Sequence, residues 1–188
     1  MNVKKFENIS KFLSVLLKIV SAFIFIGIVG LILLLIFKRD SLTMNAPIPS
    51  FPMSSGSGNV PEPAKFLAGV IVAFPSMFLY LYTFFRGSQF FNKLAKGETP
   101  FSVGNYKLLK EIGLIVTVTT FIMPLLYSLV VTMNMTEGHY FILGIDSETI
   151  IGLIIYCMAE VIRYGVTLQE LSDETVWMEE YIWQSLYG

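Results

Sequence analysis

Three stretches of the chain, residues 19–37, 66–85 and 112–136, contain no charged side chain and are overwhelmingly apolar. In a bilayer every backbone amide must be satisfied within its own segment, so a helix of about 20 apolar residues is the economical way across a core of about 30 Å. A fourth apolar stretch begins near Thr149 and reads TIIGLIIYCMA before Glu160 and Arg163 interrupt it. Composition agrees: 54% of residues are hydrophobic, mean hydropathy is +0.67, and only 14% are charged, against roughly 25% in soluble domains. An ordinary soluble domain, a disordered chain and a nucleic-acid-binding surface are excluded together. A net charge of −1 removes any global attraction to a polyanion. The expectation is an all-α integral membrane protein, a single domain over residues 1–188, with four transmembrane helices at about residues 14–37, 66–86, 110–134 and 149–166.

Lys4, Lys5 and Lys11 before the first apolar run give it the look of a secretory signal. Its length, and the lack of a small-residue cleavage site after it, predict a retained helix instead. Orientation follows from the short-loop bases. Lys4, Lys5, Lys11 and Lys18 precede or open the first span, and Arg86, Lys93, Lys96, Lys107 and Lys110 lie between the second and third, whereas residues 134–148 carry none. Both termini are therefore expected on the cytoplasmic side, with an external loop at 38–64, a cytoplasmic helical hairpin at 87–109 extending the second and third helices, and a cytoplasmic tail at 167–188.

The external loop is dense in Pro, Ser, Gly and Asn and lacks a periodic apolar face, which predicts a flexible tether. The hairpin is better organised. Lys93 and Lys96 suit a helix C-terminus, Gly97 suits the left-handed residue that ends it, Pro100 and Phe101 follow in the break, and Ser102 caps the next helix. Projection beyond the bilayer is expected to be on the order of 15 Å. In the tail, Leu168, Leu171, Thr175, Met178 and Ile182 recur at helical spacing, with Trp177 and Tyr181 widening the apolar side, while Glu170, Asp173, Glu174 and Glu180 lie off it. The result is an amphipathic C-terminal helix with no Lys or Arg. Two placements fit it: the stripe packs back on the hairpin, whose Lys93, Lys96, Lys107 and Lys110 complement its acids, or it docks a cytosolic protein.

Glu160 and Arg163, three residues apart, read as an interfacial ion pair that sets helix depth, with Lys18 within reach of the same level. His139 beside Glu137 reads as a surface histidine, and Cys157 as a small packing residue. Pro75 and Pro124 read as packing kinks, although such breaks also serve transport paths. A small multidrug exporter needs an acid deep in its first span, and residues 19–37 have none. No catalytic motif, metal site or cofactor is expected, nor an enzyme, a direct nucleic-acid contact or a small-molecule substrate.

The turn Gly97-Glu98-Thr99-Pro100-Phe101-Ser102, followed by Asn105, Leu108, Leu109, Ile112 and Gly113, resembles the first signature of domain of unknown function family 2975. Tyr164-Gly165-Val166-Thr167-Leu168-Gln169 with Asp173-Glu174-Thr175-Val176 resembles its second. The resemblance implies a four-span protein of the bacterial cell membrane, without assigned activity, in a family often encoded beside a helix-turn-helix regulator. The functional expectation is a sensor or anchor that regulates a cytosolic protein. Its partner-binding surface comprises Lys93, Lys96, Gly97, Pro100, Phe101, Lys107, Lys110, Leu168, Leu171, Asp173, Glu174, Trp177, Met178, Tyr181 and Ile182. Immunity to a membrane-active peptide and small-solute transport are the alternatives.

Overall fold

The computed structural model describes residues 3–37 and 51–187. Four helices, α1 (Val3–Phe37), α2 (Glu62–Ala95), α3 (Val103–Met133) and α4 (Ser147–Tyr187), alternate with two strands, β1 (Phe51–Ser57) before α2 and β2 (His139–Ile145) before α4. All four helices are long and apolar enough to cross a membrane. Packing follows chain order, α1 on α2, α2 on α3 and α3 on α4, with β2 against α3.

The helices turn their apolar side chains outward. On α1, Phe12, Phe23, Ile26 and Phe37 are exposed, whereas Ser10, Ser14 and Ser21 are buried. This is the polarity expected where lipid is the solvent and small residues let helices approach. Ser14 donates its hydroxyl to the Ser88 carbonyl of α2 at 3.0 Å.

Local sequence explains how α2 and α3 join. Gly97 adopts φ +82°, which a side chain would oppose. Its N–H bonds the Leu94 carbonyl and the Glu98 N–H the Lys93 carbonyl, closing the last turn of α2. Ser102 then accepts from the Asn105 N–H to start α3. Asn105, fully buried, donates to the Thr99 carbonyl at 3.0 Å and braces the turn from inside. Phe90, Leu94 and Leu108 form a core beneath it, joined by Phe6 of α1. The hairpin expected from the sequence is present, with longer helices than the expected spans.

The two strands are a departure from the all-α expectation. β1 pairs antiparallel with β2 from Phe51↔Ile145 to Ser57↔His139. Residues 51–57 of the expected tether are thus a strand, and residues 38–50 lie outside the described residues. β1 reads FPMSSGS, which carries no alternating apolar pattern, so its order comes from its partner. β2 in turn is held on its other edge by α3. Ser128 Oγ accepts from the Ile142 N–H at 2.8 Å and lies 3.3 Å from the Ile142 carbonyl. Thr132 Oγ1 accepts from the Tyr140 N–H at 3.0 Å and donates to its carbonyl at 2.9 Å. Four residues of helix rise about 6 Å and two residues of strand about 6.6 Å, so hydroxyls at i and i+4 match alternate strand residues. Two side chains of α3 stand in for a third strand. Beside them Ala68, Val72, Tyr127 and Val131 form a second core, with Tyr140 against it.

β2 therefore covers the flank of α3 nearest its C-terminus, and α4 starts partway down. Asp146 Oδ1 caps α4 by accepting from the Thr149 N–H at 2.8 Å. Thr149 is buried and donates to Thr120 Oγ1 at 2.9 Å, near the middle of α3. Below that point the backbones touch: a Cβ on Gly113 would lie 2.6 Å from the Tyr156 nitrogen. Cys157, expected to be a small packing residue, is exposed on α4.

Candidate functional site

At the hairpin end, adjacent residues of α3 reach in two directions, because consecutive helical side chains diverge by about 100°. Glu111 faces α2, accepting from Arg86 Nη2 at 2.6 Å and from the Tyr82 hydroxyl. Arg86 also donates to Gln89 and lies over the Tyr82 ring. Lys110 faces α4, donating to the Tyr106 hydroxyl at 2.9 Å and to Glu160 Oε1 at 3.3 Å. The Glu160 to Arg163 pair expected from the sequence is present, with Arg163 Nε 2.8 Å from Glu160 Oε2. The third charge differs from expectation: Lys18 is exposed on α1, which packs on α2, and Lys110 completes the cluster. The two clusters make one polar belt across α2, α3 and α4. Pairs this open to solvent contribute up to about 1 kcal/mol. Glu111→Gln is accordingly expected to lower the thermal midpoint of the detergent-solubilised protein by a few degrees, and Ile122→Gln on the exposed flank of α3 to leave the belt's hydrogen-exchange protection unchanged.

The turn rests on the root of the tail. Gly165 lies so close to the Phe101 ring that a Cβ there would fall 2.4 Å from its Cδ1. The two sequence signatures thus meet in space, Phe101 from the first on Gly165 from the second. Val103, Tyr106, Arg163, Val166 and Thr167 line a shallow cleft of about 200 Å³ at this junction.

Beyond Gly165, α4 runs on to Tyr187 without a break, roughly 30 Å further at 1.5 Å per residue. Leu168, Leu171, Asp173 and Glu174 are all exposed. One of the two expected placements sets the tail's acids against the hairpin's lysines; among the described residues Glu170, Asp173 and Glu174 form no ion pair with Lys93, Lys96 or Lys107. The connection from the tail root onward is helical throughout. Side chains of Trp177, Met178, Tyr181 and Ile182 lie outside the described residues. On the hairpin, Lys96, Gly97, Phe101 and Lys107 are exposed, whereas Lys93 and Pro100 are half-buried. Lys110 is taken up by the belt.

Sequence reasoning missed Glu111, Tyr82 and Tyr106, and placed Asn105 in the first signature without giving it a role. A signal was available for Glu111: Arg86 and Glu111 lie at comparable distances on either side of the Gly97 turn, where an antiparallel hairpin brings them level.

Neither a curated protein nor a solved structure matches the chain. Residues 40–176, which include β1, β2, both signatures and the whole belt, match the family described as "Protein of unknown function (DUF2975)". The chain belongs to that family, as the turn on Gly97 and the tail root on Gly165 lead one to expect.

Proposed function

We propose that this chain is a non-enzymatic, multi-pass protein of the bacterial cell membrane, with both termini cytoplasmic, that senses or anchors by holding a cytosolic regulatory protein at its hairpin end. The observation that carries the reading is the exposed amphipathic stretch of α4 at residues 168–175. Leu168 and Leu171 are about half exposed, at 48% and 54%, beside Glu170, Asp173 and Glu174. An isolated amphipathic helix in water is marginal without an apolar surface to lie against. Its acids make an anionic lipid surface a poor support, since such surfaces attract basic segments. A protein groove with basic rims fits both features, in the manner of helix-in-groove recognition.

The test is affinity purification of the intact chain from its native membrane beside a chain lacking residues 177–188. A soluble protein that accompanies the first and is missing from the second is the expected result. Unaltered capture by the shortened chain contradicts the tail's role, and recovery of no soluble protein with either chain contradicts the regulatory reading as a whole.

A further inference from the structure

Glu148 reads in the sequence as the end of an outer loop, yet its side chain accepts a hydrogen bond from the Tyr80 hydroxyl. Tyr80 lies inside the uncharged run 66–85 of α2. The neighbouring Thr149 bonds Thr120 at the middle of α3. From Glu148 to the belt at Glu160 the distance along α4 is roughly 18 Å, and the exposed Glu148 side chain stands level with Tyr80 and Thr120, in the middle stretches of α2 and α3. Among the described residues no Lys or Arg lies within ion-pair distance of it. A carboxylate at such a depth without a counter-charge is costly, which makes its surroundings informative.

Those surroundings form a cleft of about 330 Å³, lined by Ile24 and Gly27 of α1, Met77, Tyr80 and Phe84 of α2, and Glu148. The walls are apolar and aromatic, and Glu148 is the one charged group among them. A Cβ built on Gly27 meets nothing within 4 Å, so the cleft is open on the α1 side. We infer that this cleft binds a lipophilic organic cation, its charge set against Glu148 and its body against Tyr80 and Phe84. A compact, strongly hydrated cation pays heavily to leave water, whereas a delocalised cation with a large apolar body does not. Aromatic faces add cation–π attraction in a desolvated site. The inference rests on α1 to α4 crossing a membrane, but not on any cytosolic partner, and the cleft lies far from the tail.

Equilibrium binding of tetraphenylphosphonium to the purified full chain in detergent tests it, with tetraphenylborate as the probe of like shape and opposite charge. The expected result is saturable binding of the cation alone, at least tenfold weaker in Glu148→Gln. Gly27→Phe, which fills the cleft from its open side, is expected to abolish binding while the thermal midpoint stays at the wild-type value. Non-saturable uptake by the wild type, equal saturable binding of the borate, or wild-type binding by Glu148→Gln overturns the inference. Loss of binding in these variants with partner capture intact separates this site from the docking function.

Discussion

Replacing Gly113 by Val is expected to destabilise the protein by more than about 3 kcal/mol, at the upper end of overpacking costs, and to separate α4 from α3. The reason lies in backbone, which cannot yield as a side-chain tip can. A Cβ at this position would stand 2.6 Å from the Tyr156 nitrogen and 2.9 Å from the Gly152 carbonyl oxygen. Gly152 is blocked in the same way by the Thr117 nitrogen at 2.9 Å. The seam between α3 and α4 is therefore a contact of two main chains, and van der Waals contact is what holds helices together where lipid removes the hydrophobic incentive. Gly30→Val is the matched control, since a Cβ there meets nothing within 4 Å. Thermal unfolding in detergent should show a large drop for the first and a small one for the second. Similar midpoints for both would mean that the seam contributes little.

The second large effect is expected from Ser128→Ala combined with Thr132→Val. These two hydroxyls occupy the free edge of β2 by bonding Tyr140 and Ile142. Removing them leaves N–H and C=O groups of β2 without partners, at about 1–3 kcal/mol for each buried group left unpaired. Ser128 is itself buried, so water does not readily replace it. Hydrogen exchange should report fast amides at Tyr140 and Ile142 together with loss of protection across β1, while the Gly97 turn keeps its protection. Preserved protection across β1 would show that pairing with β2 survives without the α3 hydroxyls.

Those two predictions mark where sequence patterning reaches and where it stops. Three of the four apolar helices are legible because a hydrocarbon solvent demands length and the absence of charge, and the chain states both over residues 19–37, 66–85 and 112–136, while the fourth is read from a shorter run that Glu160 and Arg163 interrupt. The hairpin turn is legible because Gly97 and Ser102 act locally, on the amides of their own neighbours. The sheet is not legible: β1 is built from Ser, Gly and Pro, and its strand conformation is imposed by β2, which is imposed by two hydroxyls of α3 that read as ordinary small polar residues. The polar belt is half legible. Glu160 and Arg163 pair at i and i+3, a spacing visible in the sequence, whereas Lys110 enters from fifty residues away and displaces Lys18, whose helix packs on α2. Depth is the subtlest quantity. Glu148 counts as a loop residue until β2 is seen to lie along α3, which starts α4 level with Thr120.

The same geometry is what makes the tail the proposed docking surface. Phe101 on Gly165 fixes α4 against the turn, and everything after that contact projects as one helix. The family match covers residues 40–176 and therefore includes the turn, the contact and the exposed Leu168 and Leu171.

The most direct measurement places a photo-crosslinking residue at Leu171 of the otherwise intact chain, in its native membrane, with the same residue at Ser55 of β1 as the companion. A discrete adduct between Leu171 and a soluble cytosolic protein is expected, and no such adduct from Ser55. Adducts from Leu171 confined to lipid or to other copies of the chain, or the same soluble protein crosslinked from both positions, would contradict it.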